Sequence, residues 1–184
     1  MNFVPAFHPG FTNAWILCIP FLVPAFIIGM LKKDVARRMS DMTGYSARER
    51  FFTISASLAP YPFMVGTVWT PFTSLKPFIY AGSALYCVGM AAFYASIYSF
   101  AVTPPGKPLT AGVYRFSRNP IYVSASLVFL SISMMTANPV LIAYLVVLLV
   151  LQHFMILAEE RICSKKFGTE FQEYIRKVPR YLIR

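Results

Sequence analysis

Charge is scarce in this chain. Aspartate and glutamate number seven in 184 residues, and charged residues of both signs make up only 13%. An average soluble domain carries about 25%, so the composition argues against one. Cysteine is also sparse. Cys18, Cys87 and Cys163 have no metal-ligand spacing and predict no disulfide framework. The two histidines, His8 and His153, lie far apart in sequence. With no His/Cys/Asp/Glu cluster, no metal is expected, and there is no Ser/His/Asp set or phosphate-cradling glycine loop. No internal repeat or low-complexity segment stands out. No basic segment precedes the first apolar run, and that run is long enough to remain as a span, so a cleavable signal peptide is not expected.

What fills the chain instead is hydrocarbon. Hydrophobic residues make up 57% and the mean hydropathy is +0.58. They fall in long runs, the pattern of an all-α polytopic membrane protein. The net charge of +10 does not point to nucleic acid, because the basic residues flank the apolar runs.

Five spans are predicted. Residues 1–10, with Pro5, Pro9 and Gly10, form an irregular lead. The first span covers about Phe11 to Leu31, bent at Pro20 and Pro24. Ser46 and Glu49 have capping-box spacing, so a helix begins there. It leads into a second span, Phe51 to Thr70, broken by Pro60 and Pro62. The third runs from Phe78 to Ala101 and is rich in small residues, with Gly82 and Gly89 admitting a neighbouring helix. The segment Thr103 to Thr110 holds three prolines and a glycine and breaks regular structure. Asn119-Pro120 and Asn138-Pro139 each read as an N-cap followed by a first-position proline. They start a fourth span ending near Thr136 and a fifth reaching about Ala158, joined as a tight hairpin. From Glu159 an amphipathic helix is predicted at the membrane surface, with Ile162, Phe167, Phe171, Tyr174 and Ile175 on one stripe. The chain is read as a single domain over 1–184, with three spans in 1–101 and a loop, hairpin and tail in 102–184.

The basic residues orient these spans. Six lie between Lys32 and Arg50, three between Lys107 and Arg118, and seven between Arg161 and Arg184. Only Lys76 falls on the other side. The positive-inside rule then puts the N-terminus outside and the central loop and C-terminal tail in the cytoplasm, where they share a face.

Two polar features interrupt the hydrocarbon. At Arg115, Arg118 and Asn119 a basic loop meets a helix N-terminus, whose dipole and free N–H groups favour an anion. At Glu159-Glu160 the fifth span leaves the membrane. Arginines and tyrosines beside spans also serve as anchors, and carboxylates at span ends are ordinarily solvated. Brought together, however, the two features make a site with both signs of charge. Gln152 and His153 are the strong hydrogen-bonding side chains deep in the fifth span, where polar groups face the protein interior. His153 is read first as a packed residue and second as a functional one; His8 is assigned no role.

Taken in order, three stretches carry a resemblance: Gly112-Val-Tyr-Arg-Phe-Ser-Arg-Asn-Pro-Ile-Tyr122, then Glu159-Glu160, then Phe167-Gly168 through Tyr174 with Val178-Pro-Arg-Tyr181. Over Leu109 to Leu182 the chain resembles the isoprenylcysteine carboxyl methyltransferase and phospholipid methyltransferase superfamily. The resemblance implies an integral membrane enzyme, of bacterial inner-membrane or endoplasmic-reticulum type, using S-adenosylmethionine at a cytoplasm-facing site. By motif, Leu109, Gly112, Tyr114, Arg118, Asn119, Pro120, Tyr122, Glu159, Glu160 and Tyr174 are expected at the cofactor. Arg118 and Glu160 are expected in catalysis. Many members have histidine where this chain has Asn119. Tyr114 or Tyr122 would face the sulfonium, and a carboxylate would bind ribose hydroxyls or the amino group. The expected partners are the bilayer and a lipophilic acceptor, which would enter sideways near Pro60 and Pro62; the sequence names neither the acceptor nor the oligomeric state. Two other readings remain at this stage: an NADPH-dependent sterol or enone reductase with a similar tail, and a non-enzymatic membrane scaffold.

Overall fold

The computed structural model describes residues 9–182; His8 and most of the irregular lead lie outside them. The described chain is helical, without a strand. A short 3-10 turn, Ala14–Leu17, leads into α1, Cys18–Leu31, and then α2, Lys33–Met39, turned through 112° from the segment Ala14–Ile28. There follow α3, Ala47–Leu58, α4, Pro60–Thr67, α5, Lys76–Val102, α6, Pro120–Thr136, and α7, Pro139–Lys177.

The local rules hold at most ends. The Ser46 hydroxyl accepts from the Glu49 N–H at 3.3 Å, while the Glu49 carboxylate accepts from the Ser46 N–H at 2.8 Å, closing the capping box that opens α3. Pro60 breaks the second apolar run into α3 and α4. At the break, the Ala59 carbonyl accepts from the Tyr144 hydroxyl at 3.0 Å, so a neighbouring helix supplies the partner that lipid lacks. Asn138 caps α7 through its side chain, which accepts from the N–H groups of Val140 and Leu141.

α5 and α7 are long and apolar enough to cross a bilayer, and α6 is a shorter apolar helix. α5 lies close along α6. A Cβ on Gly82 would collide with Met135 Cγ and meet the Ser131 carbonyl at 3.0 Å; one on Gly89 would meet Val128 at 3.1 Å. Absence of side chains at these points lets the two backbones approach. The core is aromatic: Phe21 stacks on Phe93 at 4.4 Å, and Phe63 and Phe129 approach to 4.9 Å.

Two expectations need correction. The fifth helix does not stop at Ala158. It continues unbroken past Glu159 to Gly168, where φ of 54° and ψ of −127° bend it. Nothing at 159–167 breaks a helix, and charge alone does not end one. Beyond Gly168, Phe171, Tyr174 and Val178 are buried together, with Cys163, Phe167 and Ile175 around them. The second correction concerns Asn119. Its side chain makes no capping bond to α6; it turns away toward α7.

Candidate functional site

The loop before α6 and the middle of α7 meet at Glu160. This carboxylate is buried and accepts five hydrogen bonds. Arg118 donates from Nε at 3.0 Å and Nη2 at 3.3 Å, Asn119 from Nδ2 at 3.0 Å, and Arg180 from Nε at 3.0 Å and Nη2 at 2.9 Å. Arg118 is itself only 8% exposed at its side chain. Its remaining nitrogen, Nη1, donates to the carbonyls of Ile175 and Val178 at 3.0 and 3.2 Å. Its backbone N–H donates to the Pro179 carbonyl, and Ser117 Oγ and Asn119 Nδ2 both donate to the Arg180 carbonyl. The planar guanidinium is the group for this work, since its fork matches a carboxylate and leaves donors over. Arg118 thus points along the tail rather than toward the first N–H groups of α6. Tyr174 completes the clasp by donating its hydroxyl to the Tyr114 carbonyl at 2.6 Å.

Glu159, one residue away, faces elsewhere because successive helical side chains diverge by about 100°. Its Oε1 accepts from the Tyr122 hydroxyl at 2.6 Å, and this is its one hydrogen bond among the described residues.

Beside these groups lies a chamber of about 690 Å³, within the roughly 300–1,000 Å³ usual for small-molecule sites. Of the ten residues expected at the cofactor, Leu109, Tyr114, Arg118, Asn119, Tyr122, Glu159, Glu160 and Tyr174 line it. Gly112 and Pro120 do not; Gly112 supports the loop, with a φ of 62° and a Cβ position 2.8 Å from Ser99 Oγ. Arg115 is exposed and outside the chamber.

The chamber is graded. Arg38, Asp41, Lys107 and Lys166 lie at its charged end, and Phe21, Phe93, Phe129 and Pro60 line its apolar part. Burial, reinforced by the Glu159 charge, pushes the Tyr45 and Tyr114 hydroxyls above their usual range, so both stay neutral donors.

Sequence reasoning missed one whole wall. Residues 38–42 and Tyr45, from α2 and the turn after it, line the chamber. They are held there by Arg161, which donates to both Glu49 oxygens at 2.6 and 2.7 Å and to the Gly44 carbonyl at 2.9 Å. Hydrogen bonds from Arg161 and from Ser46 hold the Glu49 carboxyl down to about 2. Arg38 donates to the Thr103 carbonyl at 2.8 Å and lies over the Phe100 ring. Residues of the basic run thus serve the site, but their long-range partners carry no local signal.

The chamber's side chains suit the S-adenosylmethionine that the motifs imply. Thr53 Oγ1 is buried in the chamber wall without a hydrogen-bond partner among the described residues, an unmet donor that a bound polar group would satisfy. Carboxylates for hydroxyl or amino groups, cations for a carboxylate, and neutral tyrosine rings for a sulfonium are all present. The fit is good. Among the described residues no cluster suits a metal ion.

Comparison with known proteins gives one finding. No curated protein and no solved structure matches the chain significantly. The model of the phospholipid methyltransferase family matches residues 79–170, half of the chain, from α5 through the loop, the hairpin and both glutamates. The chain therefore belongs to the phospholipid methyltransferase family, a family of membrane methyltransferases.

Proposed function

We propose that this protein transfers a methyl group from S-adenosylmethionine to a lipid or other lipophilic acceptor at the cytoplasmic face of a membrane. The observation that carries the reading is the graded chamber: charged groups from α2 and the turn after it, the loop before α6 and α7, and apolar groups from α1, α4, α5 and α6. A polar cofactor and the reacting end of a lipophilic acceptor need those two environments side by side.

When bound, the sulfonium supplies an electrophilic methyl carbon, and displacement returns the bonding pair to sulfur. In-line displacement depends on alignment more than on acid–base help. Glu159 is placed to accept from hydroxyl or amino groups, and Tyr122 fixes its orientation. Tyr45 and Tyr114 offer ring faces to a cation. Lys107, Lys166 and Arg38 offer charge to a carboxylate. Arg118 and Glu160, expected in catalysis, are better used here as the clasp that keeps the tail on the loop. The charged end opens to the cytoplasm if all five apolar segments cross, with α3 and α4 together as one span, the N-terminus outside and the tail inside. Labelling of single cysteines from each side tests this; a tail that labels from outside refutes it.

The decisive experiment is calorimetry of the detergent-solubilised protein with S-adenosylmethionine and, separately, NADPH. It is followed by mass spectrometry of a lipid extract incubated with protein and methyl-labelled cofactor. Saturable S-adenosylmethionine binding and a methylated lipid are expected. Binding of NADPH alone would favour a reductase, and binding of neither a scaffold.

A further inference from the structure

α6 and α7 are joined by two residues, yet along one side they leave a groove of about 640 Å³. Hydrocarbon lines nearly all of it: Val123, Leu127 and Leu130 from α6, Leu145, Leu149 and Val150 from α7. Val146, Leu149 and Val150 are about half exposed, with no protein over them. From Leu145 to Ile156 the groove follows α7 for about 16 Å. Its polar side chains gather at the end remote from the hairpin turn, and they satisfy one another. Ser126 Oγ donates to Gln152 Oε1 at 3.0 Å, and His153 Nδ1 shares a 2.7 Å hydrogen bond with Tyr181 Oη. Tyr181 comes from the tail, one residue beyond Arg180 of the clasp. Tyr122 and Gln152 line both the groove and the chamber, so the wall between them is one side chain thick.

The shape and chemistry are those of an amphiphile: a long apolar trough open to the side, and a short polar end. Water does not fill such a trough at bilayer depth. The Pro60 break, where the sequence placed sideways access, lines the chamber's apolar part but has no comparable polar terminus. We propose that the α6–α7 groove holds the hydrocarbon chain of the acceptor and leads its polar head to the Tyr122–Gln152 wall, on whose far side Glu159 lines the chamber. Gln152, His153 and Tyr181 thereby become head-end groups of a lipid site. The inference rests on the methyltransferase reading.

The test uses full-length protein in phosphatidylcholine vesicles containing phosphatidylethanolamine with a diazirine near the end of one chain. Photolabel is expected on residues 123–130 and 145–156. Val146→Trp, at a half-exposed position that disturbs no core contact, is expected to fill the trough. It should cut that labelling at least tenfold and raise the acceptor KM at least tenfold, with kcat and cofactor affinity unchanged. Leu149→Trp should act alike. Label spread equally over the groove and the exposed face of α5 at Tyr80 and Val88 would show ordinary boundary lipid and overturn the site. So would a Val146→Trp protein with wild-type KM. A wild-type protein that binds no S-adenosylmethionine would instead overturn the functional reading, a failure seen by calorimetry before any lipid is added.

Discussion

Glu159 and Glu160 are adjacent in sequence and should fail in opposite ways when replaced. Glu160→Ala removes the acceptor of five hydrogen bonds and leaves the Arg118 guanidinium buried without its counter-charge. Breaking a buried pair from one side costs roughly 3–5 kcal/mol. For a chain of this length, 1 kcal/mol corresponds to roughly 2–4 °C in Tm, so the melting temperature in detergent should fall by about 6–20 °C. Because Arg118, Asn119 and Arg180 together hold residues 175–180, the tail should also become a trypsin substrate at Arg176 and Lys177. Glu159→Gln keeps an oxygen that can accept from the Tyr122 hydroxyl and loses only the charge; its melting temperature should stay within about 1–2 °C of wild type. Its affinity for S-adenosylmethionine should drop about ten- to a hundredfold, the cost of a lost hydrogen bond to a charged group, roughly 1.5–3 kcal/mol. Differential scanning fluorimetry, timed proteolysis and calorimetry on both variants in one detergent decide the matter. Equal melting temperatures for wild type and Glu160→Ala would refute the clasp. Wild-type cofactor affinity in Glu159→Gln would refute the role of that carboxylate.

Asn119→Ala should loosen the tail by about 1–3 kcal/mol through the bonds lost to Glu160 and the Arg180 carbonyl. Asn119→Ser, a good N-cap, should not restore proteolytic resistance, whereas it would if capping were the role. Gly82→Leu should destabilise by about 1–3 kcal/mol or more by overpacking α5 against Met135 and the Ser131 carbonyl; Tm in detergent reads it, and an unchanged value would refute the close approach. The Glu49–Arg161 latch should be pH-dependent in one direction. Glu49 is held at about 2 from an ordinary 4.5, so the stabilisation is fully present above pH 4.5 and is lost as pH falls from 4.5 toward 2. Labelling of a cysteine placed at Thr43 should quicken across that window, and Glu49→Gln should abolish the dependence.

Local chemistry determined much of this protein. Long apolar runs dictated helices, because a backbone without water must bond to itself. Ser46 with Glu49, Asn138 with Pro139, and Pro60 each set an element boundary within one or two residues of the observed one. The order of the loop motif, the glutamate pair and the tail identified the family, and eight of the ten residues chosen on it line one chamber. Tertiary structure decided what those residues do. Asn119 is a good cap by type, but Glu160 and the Arg180 carbonyl offer its amide more than the α6 N–H groups do, and only the packing of α7 brings them within reach. Arg118 and Glu160 were legible as charged and unusual, but not as partners, since forty-two positions separate them and no local rule spans that gap. The wall from 38 to 45 was invisible for the same reason. A basic loop beside a span reads as topology until Arg161, on another helix, draws it over the site. Helix ends answer to neighbours in sequence; buried charges answer to neighbours in space, because in a low dielectric each must find its counter-charge wherever the fold puts one.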